Sequence, residues 1–183
     1  VFLPLTDQGL VVSSAPDSDS VQCVDGRNGK VLWRVANRAV VLGDTGGSRD
    51  LYPAGIVNGQ LILIGQHHCR CLDMRDGKQL WVTEIGDTGG TAICGTDRCV
   101  IPQIGEQPVC LSLRDGVRLP DTARFLPHRA RLPFGAFTGD AHSVYASNPG
   151  VVVAFPRADI VASSGNSAPA EADLNTILRT ANA

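Results

Sequence analysis

Residues 22–33 of the chain read QCVDGRNGKVLW, and residues 70–81 repeat this stretch as RCLDMRDGKQLW. Eight of the twelve positions agree closely: the cysteine, the aliphatic residue that follows it, and the Asp, Arg, Gly, Lys, Leu and Trp. A third, weaker copy occupies residues 109–119, and a fourth at residues 153–159 keeps only the apolar pattern. Because an internal repeat determines the architecture of a whole chain, these copies are the most informative feature of the sequence for the fold.

The copies recur at the period of a propeller blade. Intervals of 48, 39 and 44 residues separate Cys23, Cys71, Cys110 and Ala154, which hold the same position in the four copies. A four-stranded blade takes about 40 to 50 residues. Ahead of each copy lie a short apolar strand, a tight turn with Gly, Asn or Asp, and a second strand. The repeat therefore predicts an all-β chain of four-stranded antiparallel units.

Turn residues and a closing tryptophan carry the repeat. An Asp at the start of the turn can accept hydrogen bonds from backbone N–H groups two residues on, and glycine lets the turn close. Tryptophan is large and flat, so it can cover the gap between two sheets while its indole N–H reaches a carbonyl. Pro120 holds the tryptophan position of the third copy. The signature residues are Asp25, Gly29, Trp33, Asp73, Gly77, Trp81, Asp115 and Gly116.

This combination of an aliphatic-Asp pair, Gly-Lys, Leu-Trp and a downstream Gly-Asp resembles the repeat of the pyrroloquinoline-quinone-like (PQQ-like) β-propeller superfamily, over roughly residues 1–160. The resemblance implies radially arranged blades, with the tryptophan between neighbours. That superfamily generally closes with about seven or eight blades, so four units imply a partial propeller. The expected blades are residues 1–42, 43–85, 86–122 and 133–162, followed by a linker and short amphipathic helix in residues 163–183.

Two functions of different classes fit the resemblance. The first is a non-catalytic scaffold or protein-interaction module without a cofactor, exported in a bacterium to the periplasm or beyond. Its partners would be proteins or the remaining blades of a larger propeller. The alternative is a fragment of a PQQ- and calcium-dependent alcohol dehydrogenase. The sequence lacks the adjacent cysteine pair often found in that branch and has no Cys-x-x-Cys-His haem site, so the scaffold is favoured.

Composition excludes several other classes. The 183 residues are 43% hydrophobic and 19% charged, which is too apolar for a disordered chain. A net charge of −2 with scattered basic residues gives no electrostatic footprint for nucleic acid. No unbroken run of about 20 apolar residues is present to span a membrane. Because the chain starts at Val1 without an initiator methionine, we expect the working molecule to be larger.

The six cysteines suggest two roles. Cys94 and Cys99 flank a tight turn and face each other across the predicted hairpin, so they can form a disulfide in an oxidising compartment. The cysteines at the shared repeat position indicate small buried hydrophobes. A metal site is the alternative for His67, Cys69 and Cys71, which could share one face of a strand. The simpler interpretation of residues 67–71 is an exposed loop that leads into a core cysteine.

Two other groups of polar residues have structural explanations. Asp44 and Asp87 begin Asp-Thr-Gly triplets, as in the loops of aspartic proteases, but their 43-residue spacing is one blade. These triplets therefore indicate connections between blades. The longest insertion between units holds a basic cluster, predicted as a solvated loop with partner contact as the alternative. The cluster consists of Arg124, His128, Arg129 and Arg131.

Overall fold

A computed structural model of the chain describes residues 4–14, 18–39, 48–104, 108–120, 136–139, 143–148 and 151–156. In these ranges the chain forms fifteen strands joined by turns, and they contain no helix. The predicted all-β class is confirmed. None of the described elements is a helix long and apolar enough to cross a membrane. The linker and helix expected in residues 163–183, Asp44 and the basic cluster of residues 124–131 lie outside the described residues.

The first blade is a four-stranded antiparallel sheet whose strands follow in chain order. A two-residue turn joins its first two strands, and Gln8 and Gly9 there have φ of 46° and 83°. Such left-handed turns suit the twist of a tight hairpin. The same turn recurs in the second blade at Asn58 and Gly59, with φ of 51° and 74°. The strands are β1 (Leu5–Asp7), β2 (Leu10–Ser14), β3 (Ser20–Asp25) and β4 (Val31–Ala36).

The second blade repeats this arrangement and gains one short strand. Two residues that follow the first blade pair with the start of the long strand β6, which makes a five-stranded sheet. β6 bends at two register shifts, near Asp50 and Pro53, where its pairing with the next strand is irregular. The strands are β5 (Arg38–Ala39), β6 (Ser48–Val57), β7 (Gln60–Gly65), β8 (His68–Asp73) and β9 (Gln79–Glu84).

The third and fourth sheets have three strands each within the described residues. In the third unit the expected fourth strand is reduced to one bridge, Leu111 to Arg118. Pro120 follows directly, and proline has no N–H with which to continue a ladder. The third blade contains β10 (Ile93–Cys94), β11 (Arg98–Ile101) and β12 (Val109–Ser112), and the fourth contains β13 (Ala136–Gly139), β14 (Ser143–Asn148) and β15 (Val151–Pro156).

Among the described residues the core consists of two apolar clusters, one on each face of the second blade. Leu61 and Leu63 of β7 contact the first blade, in the cluster that holds Trp33. Ile62 and Ile64 point the opposite way, into the cluster that holds Trp81 and the apolar residues of the third blade. Successive side chains of a strand alternate between faces, so one apolar strand serves both clusters. The blades therefore stack face to face, and the predicted partial propeller is confirmed.

Candidate functional site at the blade turns

The turn between the third and fourth strands has the same geometry in the first two blades. Asp25 Oδ1 accepts a hydrogen bond from the Arg27 backbone N–H at 2.9 Å. Asp73 Oδ1 accepts the equivalent bond at 2.9 Å in the second blade. Gly29 and Gly77 then adopt φ of 72° and 73°, and each donates its N–H to the carbonyl of the Asp that begins the turn. The Asp thus fixes a turn that glycine completes.

Local hydrogen bonds and charges hold these carboxylates ionised. The Arg75 guanidinium and backbone N–H both bond to Asp73 and lower its pKa to about 2. Around Asp25 the Arg27 backbone N–H has the largest effect, followed by the Arg27 guanidinium, and the pKa of Asp25 is lowered as well. Both carboxylates are therefore occupied by their own turns.

The third turn keeps this backbone with different side chains. Ser112 holds the position of Asp25 and Asp73, and its N–H and carbonyl make the same bonds across the turn. Asp115 lies one residue before Gly116, where the second blade has Asp76, and accepts the Val117 N–H at 3.2 Å. Asp115 therefore supports the later half of the turn instead of beginning it. The sequence already indicates this different role, because Asp115 directly precedes Gly116 whereas Asp25 and Asp73 do not directly precede Gly29 and Gly77.

Each tryptophan docks on the turn of the next blade. Trp33 Nε1 donates to the Met74 carbonyl at 2.8 Å, and Trp81 Nε1 donates to the Leu113 carbonyl at 3.1 Å. The rings lie so close to the turn glycines that a Cβ built on Gly77 would be 2.8 Å from Trp33 Cε3. At Gly116 the corresponding distance to Trp81 is 2.6 Å. Glycine is needed here for its missing side chain as well as for its positive φ.

A buried charged cluster joins the second blade to the first. His68 Nε2 lies 2.8 Å from Asp50 Oδ1, and Arg70 Nε donates to the same oxygen at 3.0 Å. The Arg70 guanidinium also pairs with the second oxygen of Asp50. Two further N–H groups of Arg70 donate to the carbonyls of Ala36 and Arg38, at 2.8 and 3.0 Å. Paired and hydrogen-bonded in this way, these charges can be buried, and they hold the segment between the blades.

This cluster corrects the interpretation of residues 67–71 as an exposed loop. His68 is 0% exposed and begins β8, so only Gln66 and His67 form the exposed connection. The alternation of His68 and Arg70 with Cys69 and Cys71 was a signal for a strand with one polar and one apolar face.

His67 does not join the neighbouring cysteines. His67 Nδ1 lies 3.0 Å from Asp87 Oδ1, and both side chains are exposed, while Cys69 and Cys71 are buried in the core. Among the described residues no three His, Cys, Asp or Glu side chains come together in a way that could hold a metal ion.

The cysteines occupy the inter-blade core. Burial raises the pKa of Cys71 to about 12 and that of Cys110 to about 11, and Cys23 shifts in the same direction. Thiols with raised pKa values are poor nucleophiles at neutral pH. Cys94 and Cys99 lie directly opposite in neighbouring strands, with their sulfur atoms 3.4 Å apart and both thiols free.

Repeated antiparallel sheets that stack face to face are the blades of a β-propeller, and several solved structures are similar to the chain. BamB from Moraxella catarrhalis matches with a TM-score of 0.54 and 17% identity, over 82% of this chain and 47% of that one. A europium-containing methanol dehydrogenase matches with a TM-score of 0.50 and 15% identity, over 80% and 35%. The resemblance to PQQ-like propellers is thereby confirmed for the fold.

The computationally designed Ika4 protein matches with a TM-score of 0.62 and 13% identity, over 84% of this chain and 88% of that one. The chain thus spans nearly the length of the designed protein but less than half of BamB and of the methanol dehydrogenase. No protein-family model and no curated protein matches the sequence.

Proposed function

We propose that the chain is a non-catalytic β-propeller scaffold, a protein-interaction module that works within a larger propeller or a multi-chain assembly. A difference in burial between equivalent faces of the first two blades supports this proposal. In the second blade, Leu61, Leu63 and Leu72 face the first blade and are at most 1% exposed. The strand register places three residues of the first blade at the same positions, and all three are only half-buried: Val11, Ser13 and Val24.

We call these three residues the free face of the first blade. A blade buries its faces by stacking against neighbours, so a face that stays half-buried favours contact with a further blade or a protein partner. The smaller side chains of the free face suit a contact between folded proteins, which is less apolar than a core.

Protein partners are proposed in preference to nucleic acid because the net charge is −2 and the basic residues are scattered. Fold similarity to BamB from Moraxella catarrhalis supports a bacterial protein that acts in the periplasm or outside the cell. The described carboxylates of Asp25, Asp73 and Asp50 serve turns and the blade junction, which favours a structural role over the dehydrogenase alternative.

Sedimentation of the purified chain tests the assembly. We expect a species heavier than one chain when cell extract is added, and we expect Val11→Glu on the free face to shift it toward the monomer. Lys78→Glu, in an exposed turn of the second blade, is the control and leaves the distribution unchanged. A wild-type protein that sediments only as a monomer, alone and with cell extract added, contradicts the proposal.

An optical experiment tests the catalytic alternative. The full chain is mixed with PQQ and calcium, separated from free quinone, and assayed for dye-linked oxidation of alcohols. We expect neither a retained quinone absorbance band nor dye reduction. Either signal would replace the scaffold with the dehydrogenase.

A further inference from the structure

The turn that receives a tryptophan occurs three times in the described chain, and two of the three turns have their tryptophan. The turns of the second and third blades accept Trp33 and Trp81 at the carbonyls of Met74 and Leu113. Their acceptor residues and glycines are buried beneath the indole rings. These two junctions define what such a turn binds.

The turn of the first blade is built in the same way. The Asp25 N–H bonds to the Lys30 carbonyl at 2.9 Å, and the Gly29 N–H bonds to the Asp25 carbonyl at 2.7 Å. Both bonds have equivalents in the second blade, between Asp73 and Lys78 and between Gly77 and Asp73, each at 2.8 Å. The backbone of the first turn therefore adopts the tryptophan-accepting shape without a tryptophan to impose it.

The surroundings of this first turn differ from those of the other two. Among the described residues, nothing lies within 4 Å of a Cβ built on Gly29, whereas indole atoms lie within 3 Å at Gly77 and Gly116. Gly26, which corresponds to Met74 and Leu113, is exposed, and so is Gly29. The first turn thus presents an exposed Gly26 at the position whose carbonyl accepts an indole N–H in the other two turns.

The occupied junctions also specify the residue two positions after the tryptophan. Val35 follows Trp33 in this way, and its Cγ1 lies 3.0 Å from a Cβ built on Gly77. Thr83 follows Trp81, and its hydroxyl donates to the Gly116 carbonyl at 2.6 Å. A turn of this kind therefore receives an outer strand with the pattern Trp-x-Val or Trp-x-Thr.

This chain cannot supply that strand to its own first turn. Its sequence contains two tryptophans, and both already serve the junctions described. A second copy would have to release one of its own junctions to provide an indole. The occupant is therefore a blade outside these 183 residues.

We propose that the turn from Asp25 to Gly29 is a docking site for a partner blade whose outer strand carries Trp-x-Val or Trp-x-Thr. The indole N–H would donate to the Gly26 carbonyl, and the ring would cover Gly29. The neighbouring free face would bury the rest of the partner sheet. This assignment rests on the proposed scaffold function and names the chemistry of its partner.

Nuclear magnetic resonance of the full ¹⁵N-labelled chain tests the site with a synthetic peptide that copies residues 30–37, which include Trp33 and Val35. We expect saturable shifts of the Gly26 and Gly29 amide signals, with Gly77 and Gly116 unchanged because their indoles are already present. A peptide with Ala in place of Trp should bind roughly tenfold more weakly or not at all.

A matched pair of variants tests whether the peptide binds at the turn. Gly29→Ala puts a methyl group where the ring would lie and should abolish the shifts at Gly26. Asn28→Asp copies the residue at position 76 and should leave binding intact. If Gly29→Ala fails to fold, the comparison of the Trp and Ala peptides on the wild type still tests whether the turn binds an indole. Absence of saturable shifts, or equal binding of both peptides, overturns this site, and sedimentation of the wild type tests the scaffold separately.

Discussion

Gly29 and Gly77 share a backbone conformation, with φ of 72° and 73°, and differ in what lies above them. An indole covers Gly77, while no described atom lies within 4 Å of a Cβ on Gly29. The pair therefore separates the two properties for which glycine is required at a blade turn: left-handed backbone and close approach of a ring.

Substitution of each glycine by alanine should measure these two properties. Gly29→Ala should lower the free energy of unfolding by about 1 kcal/mol, because alanine is disfavoured in the left-handed conformation and meets no other described atom there. Gly77→Ala adds the collision with Trp33 and should cost about 1 to 3 kcal/mol more. Urea unfolding of both variants against the wild type gives the difference. Equal losses would mean that the indole contributes nothing at this turn.

The lowered pKa of Asp73 predicts a loss of stability in acid. Asp73 has a pKa of about 2 in the folded chain, against an ordinary value of about 4. Its contribution is complete above the ordinary value and is lost as the pH falls through about 2. The urea concentration at the unfolding midpoint of the wild type should therefore decrease as the pH is lowered from about 4 to about 2. In Asp73→Asn that fall should be smaller.

Asp76→Asn is the matched control for this acid effect. Asp76 Oδ1 accepts the Lys78 N–H at 2.9 Å, and Asn28 makes the equivalent bond to Lys30 at the same distance. The substitution therefore keeps the turn and should keep the acid dependence of the wild type. Parallel pH profiles for the wild type and Asp73→Asn would refute the role given to Asp73.

At the scale of elements, the pairing of β10 with β11 brings two thiols together. The side chains of Cys94 and Cys99 form a directly opposed pair with sulfur atoms 3.4 Å apart, and a disulfide needs about 2.0 Å. Hydrogen bonding to Cys94 and burial raise the pKa of Cys99 well above the ordinary range. Oxidation should therefore begin at the more accessible Cys94.

Glutathione disulfide should convert this pair into an intramolecular disulfide. Cys94 would form a mixed disulfide and release one glutathione, and Cys99 would displace the second, so that the protein loses two hydrogens. Because the closed loop is short, we expect a gain of about 2 kcal/mol in the free energy of unfolding. Mass spectrometry after alkylation checks the product. Cys94→Ser is the control, and a persistent glutathione adduct would contradict the prediction.

At the scale of the whole molecule, protection should follow the stacking of the blades. Among the described residues, apolar clusters cover both faces of the second blade, whereas the first blade has its free face. Hydrogen exchange should therefore be roughly tenfold or more slower for the amides of β7 than for those of β2. Deuterium exchange followed by mass spectrometry measures this. Equal protection would indicate that the free face is covered in solution.

The parts of this architecture that the sequence predicts are those set by local repeats. The Asp, Gly and Trp of each turn act within a few residues or one blade away, so their spacing reveals them. The cluster of Asp50, His68 and Arg70 joins two strands that are paired only through a third, and no local pattern indicates that the three residues meet. The opposition of Cys94 and Cys99 needed only the predicted hairpin, and the structure places the two residues directly opposite each other, while a disulfide between them stays a prediction.

The tryptophan junctions also make the chain its own optical reporter. Its two indoles lie at different boundaries, one between the first and second blades and one between the second and third. Intrinsic fluorescence should therefore follow the separation of blades, with little response to fraying inside any one sheet. Replacing either tryptophan by phenylalanine would leave a single emitter, and the order in which the two boundaries open could then be read directly.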